Sequence, residues 1–80
     1  MNRQYRKAYN QLLALGVPVS DEQWESDAPF CICVESNVWA DYYNKARGLF
    51  GVDRKVTDIL QASGLFAEWK NPEVINCWPN

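Results

Sequence analysis

A metal site, a redox pair or an acid–base pair in this chain would have to come from three cysteines and ten carboxylates, because there is no histidine. Cys31 and Cys33 stand two apart in the run Phe30–Glu35, so on a strand they share one face. Cys77 would approach them if the first and last strands were neighbours. Three is an odd number, whereas a small secreted domain carries an even disulfide set. Tetrahedral zinc needs a fourth ligand, which histidine is not here to supply. The expectation is three reduced thiols acting as small apolar side chains, with no metal and no other cofactor. Carboxylates such as Asp21 and Glu25 can be drawn as an acid and a base. Nothing in their surroundings predicts an apolar pocket that would separate their pKa values. Without histidine the commonest general base and the usual partner of a nucleophilic serine are both missing. Gly48 and Gly51 are three apart, but Leu49 and Phe50 between them suit a packed turn better than a phosphate cradle. A domain of 80 residues also has little room for a ligand cleft. The expectation is a protein that is not an enzyme and has no catalytic residues.

Charge is distributed unevenly. Before Ser20 the charged side chains are Arg3, Arg6 and Lys7; from Ser20 to Asp41 they are Asp21, Glu22, Glu25, Asp27, Glu35 and Asp41. Lys45, Arg47, Arg54 and Lys55 follow, and the net charge is -2. An acidic middle thus lies between two basic segments. Its plainest role is to be solvated or to neutralise the basic faces of the same molecule. Its functional role would be a docking patch, in which Asp21, Glu22, Glu25 and Asp27 steer a basic partner and Trp24 anchors it.

These residues need a scaffold, and 80 residues make one domain, 1–80. A domain of this size buries only roughly 60% of its unfolded surface, so large core side chains are expected. The composition offers them, at 48% hydrophobic and 14% aromatic. Asn2–Leu15 carries Tyr5, Ala8, Tyr9, Leu12, Leu13 and Leu15 at helical spacing, with Gly16 as the stop and Pro18 beyond it. Ser20 and Gln23 have capping-box spacing, and Pro29 limits the segment to a short acidic helix or turn. Phe30–Glu35 is a strand by composition. For Val38–Tyr43 aromatic density favours a strand, while Ala40, Lys45, Ala46 and Arg47 and the stripe Trp39, Tyr42, Tyr43, Ala46 and Phe50 fit a helix; the balance tips to the strand. Asp53–Ser63 is a second helix capped by Asp53 and ended by Gly64. Leu65–Trp69 and Val74–Trp78 form a hairpin about Lys70–Glu73, where Pro72 favours the turn. The fold class is α+β, a small antiparallel sheet of three to four strands packed against two main helices. No run approaches the ~20 apolar residues of a membrane span, and no leader opens the chain. A cytoplasmic protein with its native start, without a membrane partner, is expected.

Two functional classes follow. A helix at Val38–Arg47, the turn at Gly48–Gly51 and the Asp53 helix would have helix-turn-helix spacing, with the hairpin as a wing. Against direct nucleic-acid binding, Asp53 and Asp58 offset Arg54 and Lys55, and the chain is net acidic. The favoured class is a noncatalytic protein-binding module. Alternation along the hairpin leaves Phe66 beside Glu68 on the outer face, so an aromatic edge is available to a partner or to a second copy of the chain. In size, acidity and missing chemistry the profile resembles the small inhibitor proteins of phages and mobile elements, the anti-CRISPR type. That resemblance implies a host protein or complex with a basic surface as partner, one that handles nucleic acid. No residue motif accompanies it.

Overall fold

The first helix begins where Asn2 can cap it: Asn2 Oδ1 accepts from the Tyr5 amide at 2.8 Å. In the computed structural model, which describes residues 1–22 and 27–80, this helix is α1, Arg3–Leu15. It buries Ala8 and Leu12 and closes on Gly16 in the left-handed conformation, φ 89°. The elements that follow are β1 (Val19–Ser20), β2 (Phe30–Cys33), α2 (Arg54–Ala62), β3 (Leu65–Asn71) and β4 (Val74–Pro79). Asp53 caps α2, its carboxylate accepting from the Lys55 amide at 2.8 Å.

The four strands make one antiparallel sheet in the order β1-β2-β4-β3. Register decides which face is core. Phe30 lies opposite Cys77 and Ala67 beyond it, while Ile32 lies opposite Ile75 and Trp69 beyond that. This row packs with Leu65 against Ala8 and Leu12 of α1 and Val56 and Leu60 of α2, so both helices cover the same face. Tyr9 meets Phe30 edge-on, ring centroids 5.5 Å apart. Each fully buried aliphatic or phenyl side chain in this cluster is worth about 1.5–3 kcal/mol relative to exposure. Among the described residues no helix is long and apolar enough to cross a membrane.

The architecture expected from sequence is the one observed: two helices on a four-stranded antiparallel sheet. Residues 38–43 are the correction. They form neither strand nor helix; 37–51 is a succession of turns held by isolated bridges, Ala40 to Val52 and Leu49 to Val52. Asp41 caps its own turn by accepting from the Tyr43 amide at 3.0 Å, and the Asp41 amide donates to Gly51 O at 2.7 Å. The Arg47 guanidinium donates to the carbonyls of Asn37 and Val38 and stands 3.7 Å from Asp53. Side-chain partners thus replace the ladder that a strand or helix would provide. With no helix at 38–47, the helix-turn-helix arrangement loses its first helix. Two smaller differences concern β1, which is a strand of two residues, and Ser20. Its hydroxyl accepts from the Glu22 amide at 3.2 Å in a local turn, while Gln23 of the expected capping box lies outside the described residues.

Candidate protein-binding surfaces

Two surfaces carry side chains that the fold does not consume. The first is the acidic segment. β1 delivers the chain to Asp21, whose carboxylate is held by Arg6 of α1 at 3.2 Å, with both side chains nearly half exposed. Arg6 is itself placed by stacking its guanidinium over Tyr9, 4.8 Å from the ring centre. Glu22 and Asp27 are exposed and take part in no ion pair with a described residue. Trp24 and Glu25 lie outside the described residues. Glu22 and Ala28 border a cavity of about 10 Å³ with Cys31, Asn76 and Lys70, so both ends of the segment lie over the outer face of the sheet. In that face Asn76 Oδ1 and Trp78 Nε1 are buried without a hydrogen-bond partner.

The second surface is the aromatic loop and the β3 edge. Phe50 has φ 53°, a region that L side chains avoid, and is 71% exposed. Its carbonyl accepts from Trp69 Nε1 at 2.8 Å, which ties the loop to β3. The tight turn requires glycine at 48: a Cβ there would sit 2.0 Å from Val52 O. Trp69 meets Tyr42 edge-on at 5.3 Å, and Tyr42 meets Tyr43 the same way. Lys45 Nζ caps the Tyr42 ring at 3.7 Å, while Tyr43 is 84% exposed. Between the loop, α2 and β3 lies a hole of about 130 Å³, walled by Leu49, Phe50, Leu60 and Phe66 with Thr57 and Gln61 on the helix side.

Burial raises all three thiols, and Cys31 borders the cavity under the acidic segment. Cys77 points into the core and Cys31 and Cys33 to the other face, and all three are free. Burial, reinforced by the neighbouring Cys33, pushes the Cys31 thiol up to about 11. Burial also raises Cys33, with Glu35 adding to the effect, and raises Cys77 further still. Among the described residues no group of three or more His, Cys, Asp and Glu side chains is arranged around a metal position.

The acidic residues were legible as a charge run. Phe50 and Tyr43 were not picked out from sequence; the signal was the pair of glycines around Leu49 and Phe50, which read as a packed turn. The turn is tight, but it packs Leu49 and turns Phe50 outward. Comparison with protein-family models, with curated proteins and with solved structures returns no match.

Proposed function

We propose that this chain is a noncatalytic protein-binding module, an inhibitor of the phage type that docks its acidic segment on the basic surface of a host nucleic-acid-processing complex. The observation that supports this reading is the state of the acidic charges. If the segment served only to neutralise the basic helix of the same molecule, its carboxylates would be paired. Asp21 is paired with Arg6, but Glu22 and Asp27, on either side of Trp24 and Glu25, stand exposed without an ion pair to a described residue. The Arg6–Asp21 contact fixes one end of the segment and leaves Glu22 and Asp27 to a partner. Such charges act on association rate and partner choice more than on final affinity, and salt screens them over about 10 Å at 0.1 M.

The test is capture from the native host's lysate with the tagged protein, eluted in a salt gradient, beside the variant Glu22→Lys/Asp27→Lys. A nucleic-acid-handling complex that binds the wild type, elutes at moderate salt and is lost on charge reversal supports the reading. Equal capture by the variant removes the acidic segment as the docking site. Recovery of nucleic acid alone overturns the protein-binding reading itself.

A further inference from the structure

At the β3 edge of the sheet, between α2 and the turn at 48–51, a knob and a hole lie side by side. Phe50 projects from its turn, 71% exposed, beside the hole that it lines with Leu49, Leu60 and Phe66. At about 130 Å³ the hole is on the scale of engineered apolar cavities, roughly 150 Å³, that take a benzene ring. We propose that this surface binds a second copy of the chain about a two-fold axis, each Phe50 entering the other's hole.

The charges beside the hole identify the occupant. Arg54, Thr57, Asp58 and Gln61 form one stripe of α2, and Thr57 and Gln61 line the hole. Arg54 and Asp58 are exposed, one turn apart, and neither makes an ion pair with a described residue. A surface with one positive and one negative group beside its axis is complementary to itself: two antiparallel copies of α2 set Arg54 against Asp58 of the partner, twice. A basic partner would meet Arg54, and an acidic one would meet Asp58. The interface is isologous, so it closes at two copies and does not propagate. The β3 strand is the free edge of the sheet next to it, with Phe66 half at the rim. The fixed backbone at Phe50 adds to the case, because a ring held in place before binding loses little freedom on entering the hole.

The experiment is sedimentation equilibrium of the purified full chain under reducing conditions, from micromolar to near-millimolar concentration. The expected result is a mass rising from 9.2 kDa towards twice that value. Phe50→Asn keeps a residue that tolerates positive φ and removes the knob; it should raise the dissociation constant by at least about tenfold while the circular dichroism spectrum stays that of the wild type. Arg54→Asp and Asp58→Arg should each weaken the dimer, and the double variant should restore it. A chain that stays monomeric throughout the range overturns the proposal. So does a dimer indifferent to Phe50→Asn, or one that the double charge exchange fails to rescue. None of these outcomes touches the acidic segment, so each is separable from the lysate experiment.

Discussion

Gly48 and Gly16 both sit at positive φ, 54° and 89°, but their surroundings differ, and alanine at each measures the difference. At Gly16 a Cβ meets nothing within 4 Å. The cost of Gly16→Ala is therefore the left-handed penalty of about 1–2 kcal/mol, offset by the ~0.4–1 kcal/mol that a less flexible unfolded chain returns. About 1 kcal/mol remains, which for a domain of this size lowers Tm by roughly 4–8 °C. At Gly48 the same two terms apply, and the new Cβ lies 2.0 Å from Val52 O and 2.9 Å from Val52 C. That carbonyl cannot retreat freely, because it accepts from the Leu49 amide at 2.9 Å and Val52 is buried in the core. The loop must open, losing the Leu49 bond and part of the burial of Val52. Adding about 1 kcal/mol for the bond and up to ~2 kcal/mol for the side chain, Gly48→Ala should cost about 2–4 kcal/mol, at the large end for single substitutions. Thermal and urea melts followed by tryptophan fluorescence give both numbers. Equal, small losses at the two positions would refute the close approach at Gly48 and with it the reason Phe50 points outward.

Two further outcomes follow from specific contacts. Trp69→Phe keeps a ring in place but deletes the Nε1 donor to Phe50 O, whereas Trp78→Phe deletes a buried donor that has no partner. Urea unfolding should show Trp69→Phe as the more destabilising of the two by about 1 kcal/mol; the reverse order would remove the tie between loop and strand. The thiols set an alkaline limit. Because burial raises their folded pKa above the ordinary value of 9.0, the unfolded chain releases thiol protons first as pH rises, so the thiol contribution to stability is full below about 9. For Cys31 it is lost between about 9 and 11, and Cys31→Ala should show a shallower fall of urea midpoint across that window. An unchanged slope would mean that Cys31 ionises in the folded state as it does in the unfolded one.

How much of this was legible depends on whether local or distant partners define each element. Both long helices carry their own punctuation, the stop at Gly16 and the cap Asp53 with Gly64, and the hairpin carries Pro72 in its turn, so pattern alone located them. The Val38–Gly51 segment offered a helical stripe and a strand-like density at once. What decides it is Arg47 reaching back to the Asn37 and Val38 carbonyls, and Val52 bridging both Ala40 and Leu49. Those contacts leave no periodic trace. β1 is invisible for a simpler reason: two residues are too short to alternate. Of the acidic candidate, Asp21 is found tied to Arg6 and Glu22 and Asp27 exposed, while Trp24 and Glu25 lie outside the described residues.

The aromatic content looked like core material for a chain too small to waste large side chains, and the structure uses it otherwise. Phe30 is the one aromatic residue among those described that is fully buried. Most of the rest of the sealed interior is aliphatic, Leu12, Ile32, Val56, Leu60, Leu65 and Ile75 among it, with Cys77. Tyr5, Tyr9, Trp39 and Trp69 pack as a half-buried collar around it, and Tyr43, Phe50 and Phe66 lie exposed. A half-buried aromatic ring has one side in the core and one towards solvent, so it stabilises the fold and offers contact area together. The collar is also stiff, through the Tyr42–Trp69 edge contact, the Lys45 cap and the bond from Trp69 to the Phe50 carbonyl. A chain that needed aromatics only for stability would hide Phe50 and relax its backbone, since an exposed phenyl at φ 53° adds strain and little burial. The arrangement makes physical sense when the exposed side of the collar is covered by another protein surface.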